Sequence, residues 1–297
     1  MTAALTAHAY KNYDQPPKPY LRPGGRENEY DRGRFIAMPA YVGPPVNALG
    51  LKWIGSVPAN VKRMIPRASA VVILNSLETG QPYAVIEAAT LSSRRTAAVA
   101  AIAFEHFGKH GAIVSLLGCG PINYEVTLAL NATGIPIKEF RVFDPDFERA
   151  NNFRLSLAWQ LNTRIRVSPS PESCVSGSAN VIAATTGAKG YIEPTWLNEC
   201  KFMLPLSLDD FRVETLLGAD KVIADDFDQS AREEKLFHHG VRDGRLSREK
   251  LYAELGEVVT GMKKGREADE TIYLNAMGMA IEDVATAKAV FDKITAT

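Results

Sequence analysis

The sequence predicts an α/β fold in which a doubly wound parallel sheet is joined to a discontinuous α+β domain. Three observations predict it. From residue 113 onward, apolar runs alternate with helical stretches: IVSLLG, PINYEVTLALNATG, KEFRVFD, then a segment carrying Phe147, Ala150, Phe153, Leu157 and Leu161 at helical spacing. Such alternation implies parallel strands covered on both faces. Residues 34–90 instead hold four short β-rich runs punctuated by Gly and Pro, which read as a small separate sheet. Between these regions, GCGPIN turns the strand IVSLL into a helix.

At 297 residues the chain buries a large core and divides into two domains. Thirty-four basic residues balance thirty-four acidic ones, so no global field draws it to nucleic acid or to a membrane surface. Cys119, Cys174 and Cys200 are few, far apart and form no CxxC pair. That argues against a structural metal site and a disulfide framework, and for a reducing, cytoplasmic setting. The first 34 residues lack an apolar run, so they read as neither signal peptide nor anchor. Their Pro, Gly and charges predict an extended arm.

In the first sheet, RFIAMPAYV, LGLKWIGSV, ASAVVILNS and PYAVIEAAT are the predicted strands, with LETGQ as the hairpin turn between the last two. SSRRTAAVAAIAFEHFG then reads as a helix with Ser92 or Ser93 as N-cap. Beyond the KEFRVFD strand, TRIRVS, ANVIAATT, KFMLPLS and DKVIADD supply further strands. A last helix, roughly 276–294, follows a polar, charged segment and is expected to fold back on the first domain. The expected division is 1–109 with 273–297 as one, discontinuous domain, and 110–272 as the doubly wound domain.

The GCGPIN turn has the parts of a Rossmann cofactor cradle. Gly118 permits the tight bend, and Gly120 lets backbone amides approach a pyrophosphate. Pro121 and Ile122 open a helix whose N-terminus offers unpaired N–H groups and partial positive charge. The third glycine slot holds Asn123, which costs packing room rather than phosphate chemistry. Asp144, at the end of the next strand, stands where an acid accepts both ribose hydroxyls and repels a 2′-phosphate, so NAD is favoured over NADP. The plain alternative is an ordinary strand–helix turn with Asp144 capping the following helix. Cys119 reads as small filler.

MPAYVG, GLKWIGSVPAN, LETGQPYAVIEA, RRTAAVAAIA, GCGPIN, VFDPDFERA, ELGEVVTGMKKGRE and MGMAIEDVATA together resemble the ornithine cyclodeaminase/μ-crystallin family, in family order over nearly the whole chain. PPKPYLRPG with KWIGSVPANVKRMIPRASAVVILN is similar to the branch that makes 2,3-diaminopropionate for siderophores and peptide antibiotics. That branch oxidises N-(1-amino-1-carboxy-2-ethyl)-glutamate with NAD, and water then releases 2-oxoglutarate and the diamino acid. The resemblance implies an NAD-binding Rossmann domain, a substrate domain that builds a homodimer, and an active site between them.

By position in the family motifs, Arg95 meets the substrate carboxylate or the cofactor, Lys52 binds substrate, and Arg67 contacts the cofactor. Thr185 or Thr186 lines the nicotinamide side. The family's amino-terminal arginine corresponds to Lys18 or to Arg22. SLDDF offers Asp209 and Asp210 for the catalytic aspartate, with Asp210 preferred. FRV replaces the proline-glycine-lysine run that follows this aspartate in cyclodeaminases, which weighs against ornithine activity. Family members also carry a longer helical leader, so the substrate domain is expected to be less complete.

Amine oxidation beside a carboxylate needs a fixed cation, and the Arg fork binds carboxylate at two points. It also needs a base for the amine proton and a carboxylate for the attacking water. Lys52 beside an arginine is expected to have a lowered pKa suited to proton transfer. Bland readings stand beside these. Alternation alone would turn Lys52 outward. Arg94 is the expected solvent-facing partner of Arg95. Asp209 and Asp210 would cap the FRVETLL helix. His238 and His239 are bystanders, and Asp225 and Asp226 lack further metal ligands. Ornithine cyclodeaminase, ketimine reductase, alanine dehydrogenase and a non-catalytic NAD(P)H-binding crystallin-like protein are the competing functions.

Overall fold

The computed structural model describes residues 1–186 and 189–296, so Thr297, the end of the expected returning segment, lies outside the described residues. Two compact units emerge: Met1–Arg95 with the chain from Gly278 onward, and Thr96–Met277.

The first unit is built on an antiparallel sheet. Its strands are β1 (Tyr13–Asp14), β2 (Tyr20–Leu21), β3 (Arg34–Val42), β4 (Ala48–Ser56), β5 (Ala68–Asn75) and β6 (Pro82–Glu87). They run in the order β1-β3-β4-β5-β6, with β2 also pairing β3. The two-residue period of a strand divides the side chains between faces. Met38, Ala40, Val42, Ala48, Lys52, Val72 and Leu74 are buried, and the helix Ala280–Thr295 packs against β3, β4 and β5. On the opposite face Trp53 is 36% exposed, its register partner Val71 is exposed, and Val85 is 70% exposed.

The extended arm predicted for the N-terminus is corrected. Thr2–Ala9 is a helix that buries Ala4, Leu5 and Ala7 and packs on the helix Ala280–Thr295. TAALTAHA has good helix formers, and tertiary burial of its small side chains decides the outcome. The cap expected at Ser92 or Ser93 is also corrected. The helix spans Ala89–Phe107, and Glu87 Oε1 accepts from Ala89 N at 2.6 Å. The Ser93 hydroxyl bonds back to Thr90 O inside the first turn.

The second unit holds eight parallel strands: β7 (Ile113–Leu117), β8 (Glu139–Phe143), β9 (Ile165–Val167), β10 (Asn180–Ala183), β11 (Phe202–Pro205), β12 (Lys221–Ala224), β13 (Ala253–Glu254) and β14 (Ile272–Asn275). Their order is β13-β12-β14-β11-β10-β7-β8-β9. Every residue of β10, β11, β12 and β14 is buried, as expected of strands covered on both faces. The chain runs one way from β7 through β8 to β9, then returns to place β10 on the other side of β7. That reversal is the topological switch point, where ligands bind at the carboxyl ends of the strands.

Further elements depart from the predicted ones, among them the two-residue edge strand β13, which no run announced. The sequence reading missed β14, although it lies between β11 and β12; TIYLN is a short apolar run hidden behind the charged segment KKGREADE. The helix Phe147–Leu157 stops before Leu161, which is buried beyond its end. The last helix begins at Ala280 rather than at residue 276, because Gly278 takes φ +82°, which no helical residue adopts.

Candidate active site

In the first unit, three elements bring a buried ionic cluster together. β4 supplies Lys52, the helix Ala89–Phe107 supplies Arg95, and the first turn of Ala280–Thr295 supplies Glu282 and Asp283. Lys52 is 1% exposed and lies on the helix-covered face, so the outward reading does not hold. Its Nζ is 2.6 Å from Asp283 Oδ2. Arg95 Nε donates to Asp283 Oδ1 at 2.9 Å, and Nη1 to Glu282 Oε2 at 2.8 Å. Asp283 therefore bridges both cations. Lys18 Nζ donates to Gly278 O beside them. Gly278 is required here: a Cβ would stand 2.5 Å from Arg95 Nη1.

Arg22 is engaged elsewhere, with Glu29 Oε2 at 2.9 Å and over the Tyr20 ring. Of the two candidates for the amino-terminal cation, Lys18 is the one in the cluster.

Burial lowers the Lys52 amine to about 8; Asp283 pulls it up, while Arg95 and Lys18 press it further down. Burial pushes Asp283 up, but Arg95 and Lys52 overcome it and hold the carboxyl below its ordinary value. Burial raises Glu282 against the pull of Arg95. Such a cluster can hold a carboxylate and exchange a proton near neutrality.

In the second unit, the turn after β7 has the geometry of a phosphate cradle. Gly118 has φ +89°, and a Cβ on it would lie 2.5 Å from the Ala184 carbonyl oxygen. Around Gly120, by contrast, a Cβ would meet no atom within 4 Å. Gly120 is the N-cap of the helix Pro121–Ala132, and no side chain caps its first-turn N–H groups. Open ground before an uncapped helix N-terminus suits a pyrophosphate.

Asn123 does more than take up packing room. Its Nδ2 donates to Leu117 O at 2.9 Å and Gly118 O at 2.7 Å, so it tethers the turn. Asp144 Oδ2 accepts from Cys119 N, and Oδ1 from Asp146 N, both at 3.0 Å. Arg149 Nη1 lies 3.3 Å from Oδ1. Asp146, not Asp144, caps the helix Phe147–Leu157. Burial and the Asp144 charge push the Cys119 thiol up to about 12, which leaves no reactive thiolate.

Beyond β10 and β11 the same sheet edge carries Asp210. It is buried, and Thr185 Oγ1 donates to one carboxylate oxygen while Ser207 Oγ bonds the other. Burial raises its pKa against these two hydrogen bonds. Asp209 is bonded elsewhere. Its Oδ1 accepts from Leu236 N at 3.0 Å and its Oδ2 pairs with Lys235 Nζ at 2.8 Å, which anchors the start of the helix Leu236–Arg242. Neither aspartate caps Val213–Leu217, whose N-cap is Arg212 without a side-chain bond. Thr186 is exposed.

Arg67 Nη1 donates to Ser56 Oγ at 2.8 Å within the first unit. His238 and His239 lie on the helix Leu236–Arg242, with His238 Nδ1 on Ala231 O. Asp226 caps the helix Phe227–Ser230. The sequence reading missed Glu282, Asp283 and Ser207. For the acids a signal existed: two adjacent carboxylates interrupt an Ala-rich, otherwise apolar helix start in MGMAIEDVATA.

The family model described as Ornithine cyclodeaminase/mu-crystallin matches residues 1–297. N-((2S)-2-amino-2-carboxyethyl)-L-glutamate dehydrogenase of Staphylococcus aureus is 40% identical, covering 99% of this chain and 88% of its own. Alanine dehydrogenase of Archaeoglobus fulgidus is 31% identical, covering 97% and 87%. Among solved structures, an archaeal alanine dehydrogenase dimer with bound NAD is similar at TM-score 0.83 and 28% identity, over 99% of this chain and 89% of that one. Thermococcus litoralis Delta(1)-pyrroline-2-carboxylate reductase, in complex with NADH and L-proline, has TM-score 0.88 at 24% identity, over 99% and 91%, and speaks for the fold. The chain belongs to the ornithine cyclodeaminase/mu-crystallin family.

Proposed function

We propose that this NAD-dependent oxidoreductase oxidises N-(1-amino-1-carboxy-2-ethyl)-glutamate and releases 2-oxoglutarate and 2,3-diaminopropionate. The observation that carries the reading is the buried Lys52–Asp283–Arg95 bridge, which keeps an arginine fork and a lysine amine of lowered pKa side by side. The substrate identity is supported by the 40% identical S. aureus dehydrogenase of that name.

Gly118, Gly120 and the first turn of Pro121–Ala132 would hold the pyrophosphate, and Asp144 the adenosine ribose. Arg67, Thr185 and Thr186 complete the proposed cofactor contacts. When bound, NAD supplies the hydride acceptor. Arg95 anchors a substrate carboxylate, with Lys18 nearby. Lys52 takes the proton from the substrate ammonium, because hydride leaves only from beside a neutral amine. Loss of hydride from the glutamate α-carbon leaves an iminium. Asp210 accepts a proton from water as its oxygen bonds to that carbon. Lys52 returns its proton to nitrogen; as the C–N bond breaks and the amine leaves, the hydroxyl proton passes back to the now neutral Lys52 and the ketone of 2-oxoglutarate forms. Thr185 and Ser207 hold the Asp210 carboxylate in one orientation.

A second reading, alanine dehydrogenase, has the 31% identical A. fulgidus enzyme in its favour. It keeps every role above except water attack on a bulky imine.

We also propose a homodimer formed through the outer face of β4, β5 and β6. Trp53, Val71 and Val85 leave that face apolar and exposed, and exposed apolar patches mark interaction sites.

NADH formation with N-(1-amino-1-carboxy-2-ethyl)-glutamate, ornithine, alanine, lysine and proline discriminates the readings. Turnover is expected with the first alone, and turnover with alanine instead would move the chain to the dehydrogenases of simple amino acids. Lys52 must be neutral to accept a proton, so kcat/KM rises with pH through about 8, and Lys52→Met removes that limb. Asp144→Ala weakens NAD binding about 10- to 100-fold by calorimetry, since hydrogen bonds to a charged acceptor contribute about 1.5–3 kcal/mol. Unchanged affinity would remove Asp144 from the cofactor site. Val85→Lys on the outer face yields a monomer by light scattering if the dimer uses that sheet.

A further inference from the structure

We propose that Asp283 is a positioning residue: by bridging Lys52 and Arg95 it sets the spacing of the two cations and governs when Lys52 carries its proton. This rests on the roles given above to those two residues.

The geometry has three parts. First, Lys52 and Arg95 sit on different elements, β4 and the helix Ala89–Phe107, and they would repel one another. Each places a nitrogen on a different oxygen of the same carboxylate, at 2.6 and 2.9 Å. A two-oxygen bridge fixes the separation of its partners in a way that two separate ion pairs do not.

Second, Asp283 is fully buried in the first turn of Ala280–Thr295, so its own position is fixed by a packed helix. Partly positive N–H groups at that helix start favour an ionised carboxylate. Third, Glu282 next to it pairs with Arg95 at 2.8 Å and accepts from Met279 N through the same Oε2, whereas the Lys52 amine is paired with Asp283.

The charged groups facing Lys52 are Asp283 from the last helix, Arg95 from Ala89–Phe107 and Lys18 from the N-terminal segment; Ser92 Oγ lies 3.4 Å away. Of these charges, Asp283 alone favours protonated Lys52, while Arg95 and Lys18 oppose it. Removing Asp283 therefore pushes the amine further below its ordinary value. The sign follows: a lysine of lower pKa is neutral at lower pH, so the rising limb of kcat/KM moves to the acid side.

The test titrates the Lys52 amine by NMR in isotope-labelled protein without substrate, with Lys52→Met identifying the signal. In parallel, kcat/KM is measured against pH for wild type, Asp283→Asn, Lys52→Met and the double variant. In Asp283→Asn, both the amine midpoint and the activity limb move down by about one to three pH units. In the double variant, Asp283→Asn adds little to the loss from Lys52→Met, because the two act as one unit.

A folded Asp283→Asn protein whose Lys52 still titrates at the wild-type midpoint overturns the proposal. If instead the amine shifts while Lys52→Met keeps the wild-type activity limb, Asp283 controls Lys52 but the proton role given to Lys52 falls. Should Asp283→Asn fail to fold, Asp283→Glu keeps the charge and displaces it by one methylene. The amine then titrates near its wild-type value with kcat/KM reduced, and an unchanged kcat/KM overturns the positioning role.

Discussion

The first unit depends on one fully buried carboxylate. Asp283 sits between Lys52 and Arg95 inside the packed seam of sheet and helix, and all three are buried. Removing one member of a buried ion set costs on the order of 3–5 kcal/mol, because a charge is left without a partner. The three elements that supply these groups are therefore interdependent. β4 must turn residue 52 inward, and the last helix must begin at residue 280 and not earlier. Gly278 must leave room for the Arg95 guanidinium, which a single methyl group would displace. Replacing a buried ion set by apolar residues of similar volume is often neutral or stabilising, so this set is weak evidence of stability and fits the proton role proposed for Lys52.

The second unit meets a different constraint with the same economy of elements. Parallel strands end together, so the loops after β7, β8, β10 and β11 lie along one edge. Gly118 and Gly120 follow β7, Asp144 follows β8, Thr185 follows β10, and Ser207 and Asp210 follow β11. Asn123 ties the first of these loops to its strand, and the backbone N–H groups of Cys119 and Asp146 fix the carboxylate of Asp144. Rigid elements thus set the direction of each polar group before any ligand arrives, which lowers the ordering cost of binding.

Much of this was legible in the sequence because it follows from period and spacing. The switch from β-rich runs to alternating strands and helices marks the two kinds of sheet, and a glycine turn between a strand and a helix marks the cradle. What escaped was long-range. Asp283 lies 231 residues from Lys52 and 188 from Arg95, and no local pattern announces that they meet. Alternation along β4 alone would have turned Lys52 outward, and it is the helix packed from the far end of the chain that buries its face. β14 was missed for a related reason: it enters the sheet between strands that precede it in sequence. The distinction between Asp209 and Asp210 likewise turned largely on remote partners, Leu236 and Lys235 for one and Thr185 for the other, with Ser207 the single local one.

In the proposed reaction hydride leaves the glutamate α-carbon of a carboxylate-anchored amine. The most direct measurement uses N-(1-amino-1-carboxy-2-ethyl)-glutamate deuterated at that carbon, with NAD, and follows the label by mass spectrometry. One deuterium is expected in each NADH formed, with 2-oxoglutarate and 2,3-diaminopropionate released in equal amounts. Unlabelled NADH, or deuterium recovered in the amino-acid product, would contradict it.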